Sequence, residues 1–189
     1  IATYYMDYFK DYNNALKFAL NALKIVENFK AIPEHSIASA HYWLAVVYKF
    51  GKKYDEAIKH YNNAITHEIK AYGKDHPEVA KYHLAMVTVF SEQEDVPKVI
   101  ENLENALTIY LKNSEKEDNL DAASIYNSLG TYYLSTNNSK EQDLQFFESA
   151  LSFNLKTHGK LDAASDKVKI KGHLESYKNL GNSYHFSGD

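Results

Sequence analysis

The chain has 189 residues, 44% of them hydrophobic, and a formal net charge of −4, which fits a folded protein and excludes wholesale disorder. All 21 basic residues are lysine, so the planar guanidinium fork that reads guanine edges is missing, which argues against sequence-specific nucleic-acid binding. There is no cysteine for a disulfide or a thiolate metal site, and no apolar run approaches the roughly 20 residues that span a bilayer.

The first residues, Ile1-Ala-Thr-Tyr-Tyr, carry neither an initiator methionine nor a signal pattern. They read as the interior of a longer chain, with the cytoplasm as the default setting. A stub containing Tyr4, Tyr5 and Tyr8 precedes a helix marked by Ala15, Leu16, Ala19, Ala22 and Leu23. The second unit is the best formed. Leu44, Ala45 and Tyr48 share one face of a helix that Gly51 ends, glycine being the residue that relaxes easily into a left-handed turn. A further helix starts near Tyr54 and buries Ala57, Ile58, Tyr61, Ala64 and Ile65. In the third unit Val99, Ile100, Leu103, Ala106 and Leu107 form the same stripe, and Pro97 suits a first turn. In the fourth, Leu129, Gly130 and Tyr133 mark the first helix, and Leu144, Phe147, Ala150 and Leu151 the second. Ser139 with Gln142 reads as a capping box opening that second helix. A fifth unit begins with Leu180, Gly181 and Tyr184, after a surplus of residues between Gly159 and Gly172.

Alanines 22, 64, 106 and 150 thus recur at intervals of 42, 42 and 44 residues. A fixed period of this size marks a stack of small supersecondary units. The small side chains predict close helix crossings within and between helical hairpins. Residues 1–189 are expected to form one array of about four hairpins and a partial fifth, a fragment of a longer protein. The last helix has nothing after it to cover Leu174, Tyr177, Leu180 and Tyr184, so it offers a surface for self-association.

Leu44-Ala45-x-x-Tyr48, Gly51, Tyr54, Ala57, Tyr61 and Ala64 reproduce the tetratricopeptide-repeat signature, and the chain resembles that family over its whole length. The usual repeat is about 34 residues. The longer repeat here, with Gly73, His76, Pro77, Val79 and Ala80 in its connector, looks like the kinesin-light-chain and nephrocystin-like subgroup. The resemblance implies an all-α, right-handed superhelical solenoid whose first helices line a concave side. It also implies a non-catalytic scaffold that holds a peptide or helical segment of a partner protein, with no cofactor, no metal and no membrane insertion. Two alternatives are a peptide-sensing regulatory domain and the recognition arm of a larger multidomain enzyme.

On each first helix, positions three before, one after and four after the small residue face away from the packing stripe. These are Tyr42, Val46 and Lys49 (with Phe50 adjacent), then Leu84, Thr88 and Ser91, then Asn127, Thr131 and Leu134, then Lys178, Asn182 and His185. Tyr4 and Tyr8 belong to the first unit. The expected groove has apolar anchors near Tyr8, Tyr42, Phe50 and Leu84, with Asn127 and Asn182 bonding a peptide backbone, because an amide both donates and accepts. Lys178 and Asn182 match only one element of the family's chaperone-tail clamp, and Tyr42, Val46, Leu84 and Thr88 stand where that clamp needs polar or cationic groups.

Nine histidines suggest acid–base or metal chemistry, but their frames do not support it. His41 and His83 hold equivalent positions beside the packing stripe and read as partly buried, hydrogen-bonded side chains. His67-Glu68 lacks the second histidine of a zinc-hydrolase helix. His76 precedes Pro77 in a connector and reads as loop-shaping. No phosphate cradle or serine elbow is present.

Overall fold

A computed structural model describes residues 11–29, 31–113, 120–136, 145–150, 152 and 178–179, and every regular element among them is α-helical. The elements are α1 (Tyr12–Asn28), α2 (Glu34–Phe50), α3 (Tyr54–Tyr72), α4 (Pro77–Glu92), α5 (Val96–Lys112) and α6 (Leu120–Thr136). Residues 145–150 are also helical. The stub before α1, the Ser139–Gln142 capping box and the surplus from Gly159 to Gly172 lie outside the described residues. So does all of the fifth unit except Lys178 and Asn179. The chain divides into two compact units, Ile1–Val99 and Ile100–Asp189.

In the first unit, α1 opens on Asp11, whose carboxylate accepts from Asn14 N at 3.1 Å and Asn14 Nδ2 at 2.7 Å. That satisfies donors the first turn would leave unpaired. The backbone N–H of Asn14 is the main reason the Asp11 carboxyl stays below its usual range. Ala15, Ala19 and Leu23 then pack against Ala40, Leu44 and Val47 of α2, with Tyr12, Leu16, Val26 and Tyr48 around them. In α3, Asp55 and Glu56 stand in the first turn and Lys70 in the last, each complementing the helix dipole. Ala64 of α3 meets Ala38 of α2 and Tyr82 of α4, flanked by Tyr42 and Ile65. Pro77 begins α4 directly after His76, where its missing N–H costs nothing.

Two expectations need correction. Ala64, Ala106 and Ala150 are fully buried, but Ala22 faces solvent. Burial in α1 falls at Ala15, Ala19 and Leu23, advancing four residues each time, whereas α3 buries Ala57, Tyr61, Ala64 and Glu68. A strict step of four rotates the contact stripe around the helix, so Leu23 takes the place meant for Ala22. Gly51, in turn, is not left-handed: its φ is −78°. The left-handed residue is Lys52, with φ 56°, and Glu94 repeats that conformation 42 residues later with φ 59°. Both turns close with a bond from the residue after it, Lys53 N to Tyr48 O and Asp95 N to Phe90 O, each 2.9 Å. This is the Schellman pattern. Gly51 matters for space instead, because a Cβ there would lie 2.2 Å from the Tyr12 ring.

In the second unit, α5 buries Leu103, Ala106, Leu107, Ile109 and Tyr110, and α6 buries Ala122, Ala123, Ile125 and Leu129. A Cβ on Gly130 would sit 2.6 Å from the ring of Phe147, itself fully buried. Gly130→Ala is therefore expected to cost about 1–3 kcal/mol, read as a lower urea midpoint at unchanged slope. Tyr133 stacks on Phe146 at 5.1 Å and donates its hydroxyl to Glu104 at 3.1 Å.

Candidate partner-binding face

α2 has a buried side and an exposed side. Ala38, His41, Leu44, Ala45 and Val47 point inward. Trp43, the chain's single tryptophan, is 45% exposed, and Phe50 is 40% exposed. Trp43, Val46 and Phe50 stand at i, i+3 and i+7, so they share one stripe. Large apolar side chains left in water along one helix face mark an interaction surface.

α4 continues this face. Lys49 Nζ donates to Thr88 Oγ1 at 3.0 Å, and that hydroxyl donates to Ala85 O at 2.8 Å. Tyr42 stacks on Tyr82 at 5.1 Å, meets Trp43 edge-on at 5.1 Å and lies 5.9 Å from Tyr61. Burial, and then the nearby Glu78 carboxylate, raise the Tyr42 phenol above its usual value, so it stays neutral at physiological pH. The Tyr42 ring therefore braces α2 against α4 and supports Trp43 from one side. Leu84, 42 residues after Tyr42, is half-buried on α4.

Of the residues expected in the groove, Lys49 and Thr88 are joined by their hydrogen bond, Tyr42 works as a brace, and Val46, Phe50 and Leu84 are half-buried or exposed on α2 and α4. Tyr8 and Asn182 lie outside the described residues. In the second unit, Asn127 is only 7% exposed and its Oδ1 accepts from Asn179 Nδ2 at 3.4 Å. Thr131 donates to Asn127 O at 2.9 Å, while Lys178 is exposed. The amide oxygen expected to hold a peptide is therefore already engaged by a helix of the same chain. Trp43 is the residue that sequence reasoning missed. Its signal was available, as an aromatic residue seven before Phe50 and three before Val46.

Among the described residues no helix is long and apolar enough to cross a membrane, and no group of three or more acidic or histidine side chains is placed to hold a metal ion.

Paired helices of this length, with three-residue bridges at 51–53 and 93–95 and an exposed stripe on a first helix, define a helical-repeat interaction scaffold. Residues 36–112 match the family model for the tetratricopeptide repeat, and the paired helices of that segment have the fold of such repeats. The crystal structure of BtubC (BKLC) from P. vanneervenii shares the fold with a TM-score of 0.78 at 18% identity, covering 97% of this chain and 69% of that one. The nearly identical TPR-like repeats of a Podosopora anserina protein described as a kinesin light chain superpose with a TM-score of 0.74 at 17% identity. They cover 99% of this chain and 83% of that one. MamA is more distant, with a TM-score of 0.55 at 14% identity over 95% of this chain and 91% of its own. The sequence matches none of the curated proteins. The fold is that of a protein–protein interaction scaffold.

Proposed function

We propose that the chain is a non-catalytic cytoplasmic scaffold whose first-helix groove receives a peptide or helical segment of a partner protein, seated on α2 and α4. The observation that carries this reading is the stripe of exposed Trp43 and Phe50 with half-buried Val46 between them, joined to α4 by the Lys49–Thr88 bond. A face already braced by the Tyr42–Tyr82 stack and the Lys49–Thr88 bond needs little rearrangement to bind, which saves ordering entropy. An extended or helical ligand would place apolar side chains between Trp43 and Phe50, with Lys49 and Thr88 supplying polar contacts at the edge.

Trp43 provides its own readout. Peptides selected from a displayed random library on the 189-residue chain should shift its emission on binding. Trp43→Ala should weaken those peptides by about 30-fold, the loss typical of an aromatic anchor. Its thermal midpoint should move far less than that of a core truncation, because the side chain is nearly half exposed. Equal affinity of the native and Trp43→Ala chains would defeat the assignment.

A further inference from the structure

The seam between α2 and α3 holds a column of rings that the partner-binding face does not use. α2 places Glu34, His41 and Tyr48 seven residues apart, and α3 places His60 and His67 seven apart. Each set shares one stripe of its helix, and the stripes interleave as knobs do between packed helices. Along the seam the order is Tyr48, His60, His41, His67, Glu34. Successive ring centroids lie 5.5, 5.2 and 5.5 Å apart, and His67 Nδ1 ends the column 2.5 Å from Glu34 Oε2.

Within it, His41 Nδ1 lies 3.0 Å from His60 Nδ1. Two imidazole nitrogens at that distance share one proton, with one ring donating and the other accepting. Protonating the second nitrogen sets two N–H donors against each other and puts a cation at a site where His41 is only 5% exposed. We propose that this column makes the α2–α3 hairpin an acid-labile element, closed while the His41–His60 pair holds a single Nδ1 proton and weakened when both Nδ1 atoms are protonated.

The surroundings agree. Burial, then His60 and His67, bring the His41 imidazole down to about 4. Burial, then Lys59 on the same helix, also lower His60, while Glu27 of α1 pulls the other way. Glu34 is held below the usual carboxylate range, first by its hydrogen bond from His67. His35, on α2, and His76, at the start of α4, contact Glu68 rather than the pair. A histidine in the unfolded chain titrates near about 6.5. With the folded values depressed, the unfolded state binds more protons between the two values. The stabilisation is therefore complete above about 6.5 and is lost as pH falls toward 4.

Urea unfolding of the whole chain, followed by Trp43 emission, tests this. Between about pH 6 and about pH 5 the unfolding constant should rise about tenfold, the effect of one proton difference. His41→Phe keeps a ring in the column but removes its titrating nitrogens, and should cut that rise to less than about threefold. Proton NMR of the native chain decides the matter even if His41→Phe does not fold. The ring protons of His41 should keep their neutral positions down to about pH 5. A flat native slope, the same slope in folded His41→Phe, or His41 titrating near about 6.5 would each overturn the proposal.

Discussion

Leucine in place of Ala64 is expected to lower stability by about 3 kcal/mol, whereas leucine in place of Ala22 should change it by no more than about 0.5 kcal/mol. The two residues hold the same place in successive repeats, 42 apart. Their surroundings differ. Ala64 is fully buried where α3 meets Ala38 of α2 and Tyr82 of α4. Interiors are packed at crystal density, so three added carbons there must displace backbone or the buried Tyr82 ring. Ala22 faces water, and its neighbour Leu23 makes the contact with α2. Urea denaturation of the two variants measures the contrast. Equal losses would mean that α1 packs as α3 does.

Glu68 carries the second large effect. Its carboxylate is 0% exposed. His35 Nδ1 donates to it, at 2.9 Å from Oε2 and 3.1 Å from Oε1. His76 Nδ1 approaches Oε1 to 3.0 Å without hydrogen-bond alignment. Tyr72 closes the group, edge-on to His35 at 5.5 Å and stacked on His76 at 4.6 Å. One side chain of α3 thus ties the start of α2 to the residue that caps α4. Glu68→Ala removes the carboxylate and leaves both imidazoles facing a cavity, a loss of about 3 kcal/mol. For a chain of this size that corresponds to a thermal midpoint lower by about 6–12 °C. Glu68→Gln keeps the volume and one acceptor oxygen, and should lose only about 1 kcal/mol. If the two variants melt together, packing rather than the carboxylate holds this junction.

Much of the fold was legible because helix packing writes itself into short spacings. Ala57, Tyr61 and Ala64 recur at helical intervals, and all three are buried. What escaped depended on contacts distant in sequence. His67-Glu68 was read as an incomplete zinc helix, yet Glu68 finds His35 33 residues before it. Gly51 was credited with a left-handed turn, but Gln93 occupies the equivalent place in the next repeat and forms the same turn without glycine. Asn127 reads from its offset as a groove residue, and the fold adds Asn179 beside it, 52 residues later. Trp43 was overlooked for a different reason. An offset of three before and one after the small residue falls on Tyr42 and Val46 and passes over the tryptophan between them.

The contact of Tyr12 with Gly51 also bears on how such an array can evolve. Its ring fits where glycine omits a side chain. Tyr54, its counterpart one repeat on, sends its hydroxyl to Glu92 at 2.7 Å, beside a turn where Gln93 stands in place of glycine. Neighbouring modules are therefore keyed to one another like differently cut locks. Duplicating or shuffling a single hairpin would bring a tyrosine against the wrong seam, so the succession of these units is itself inherited as a matched set.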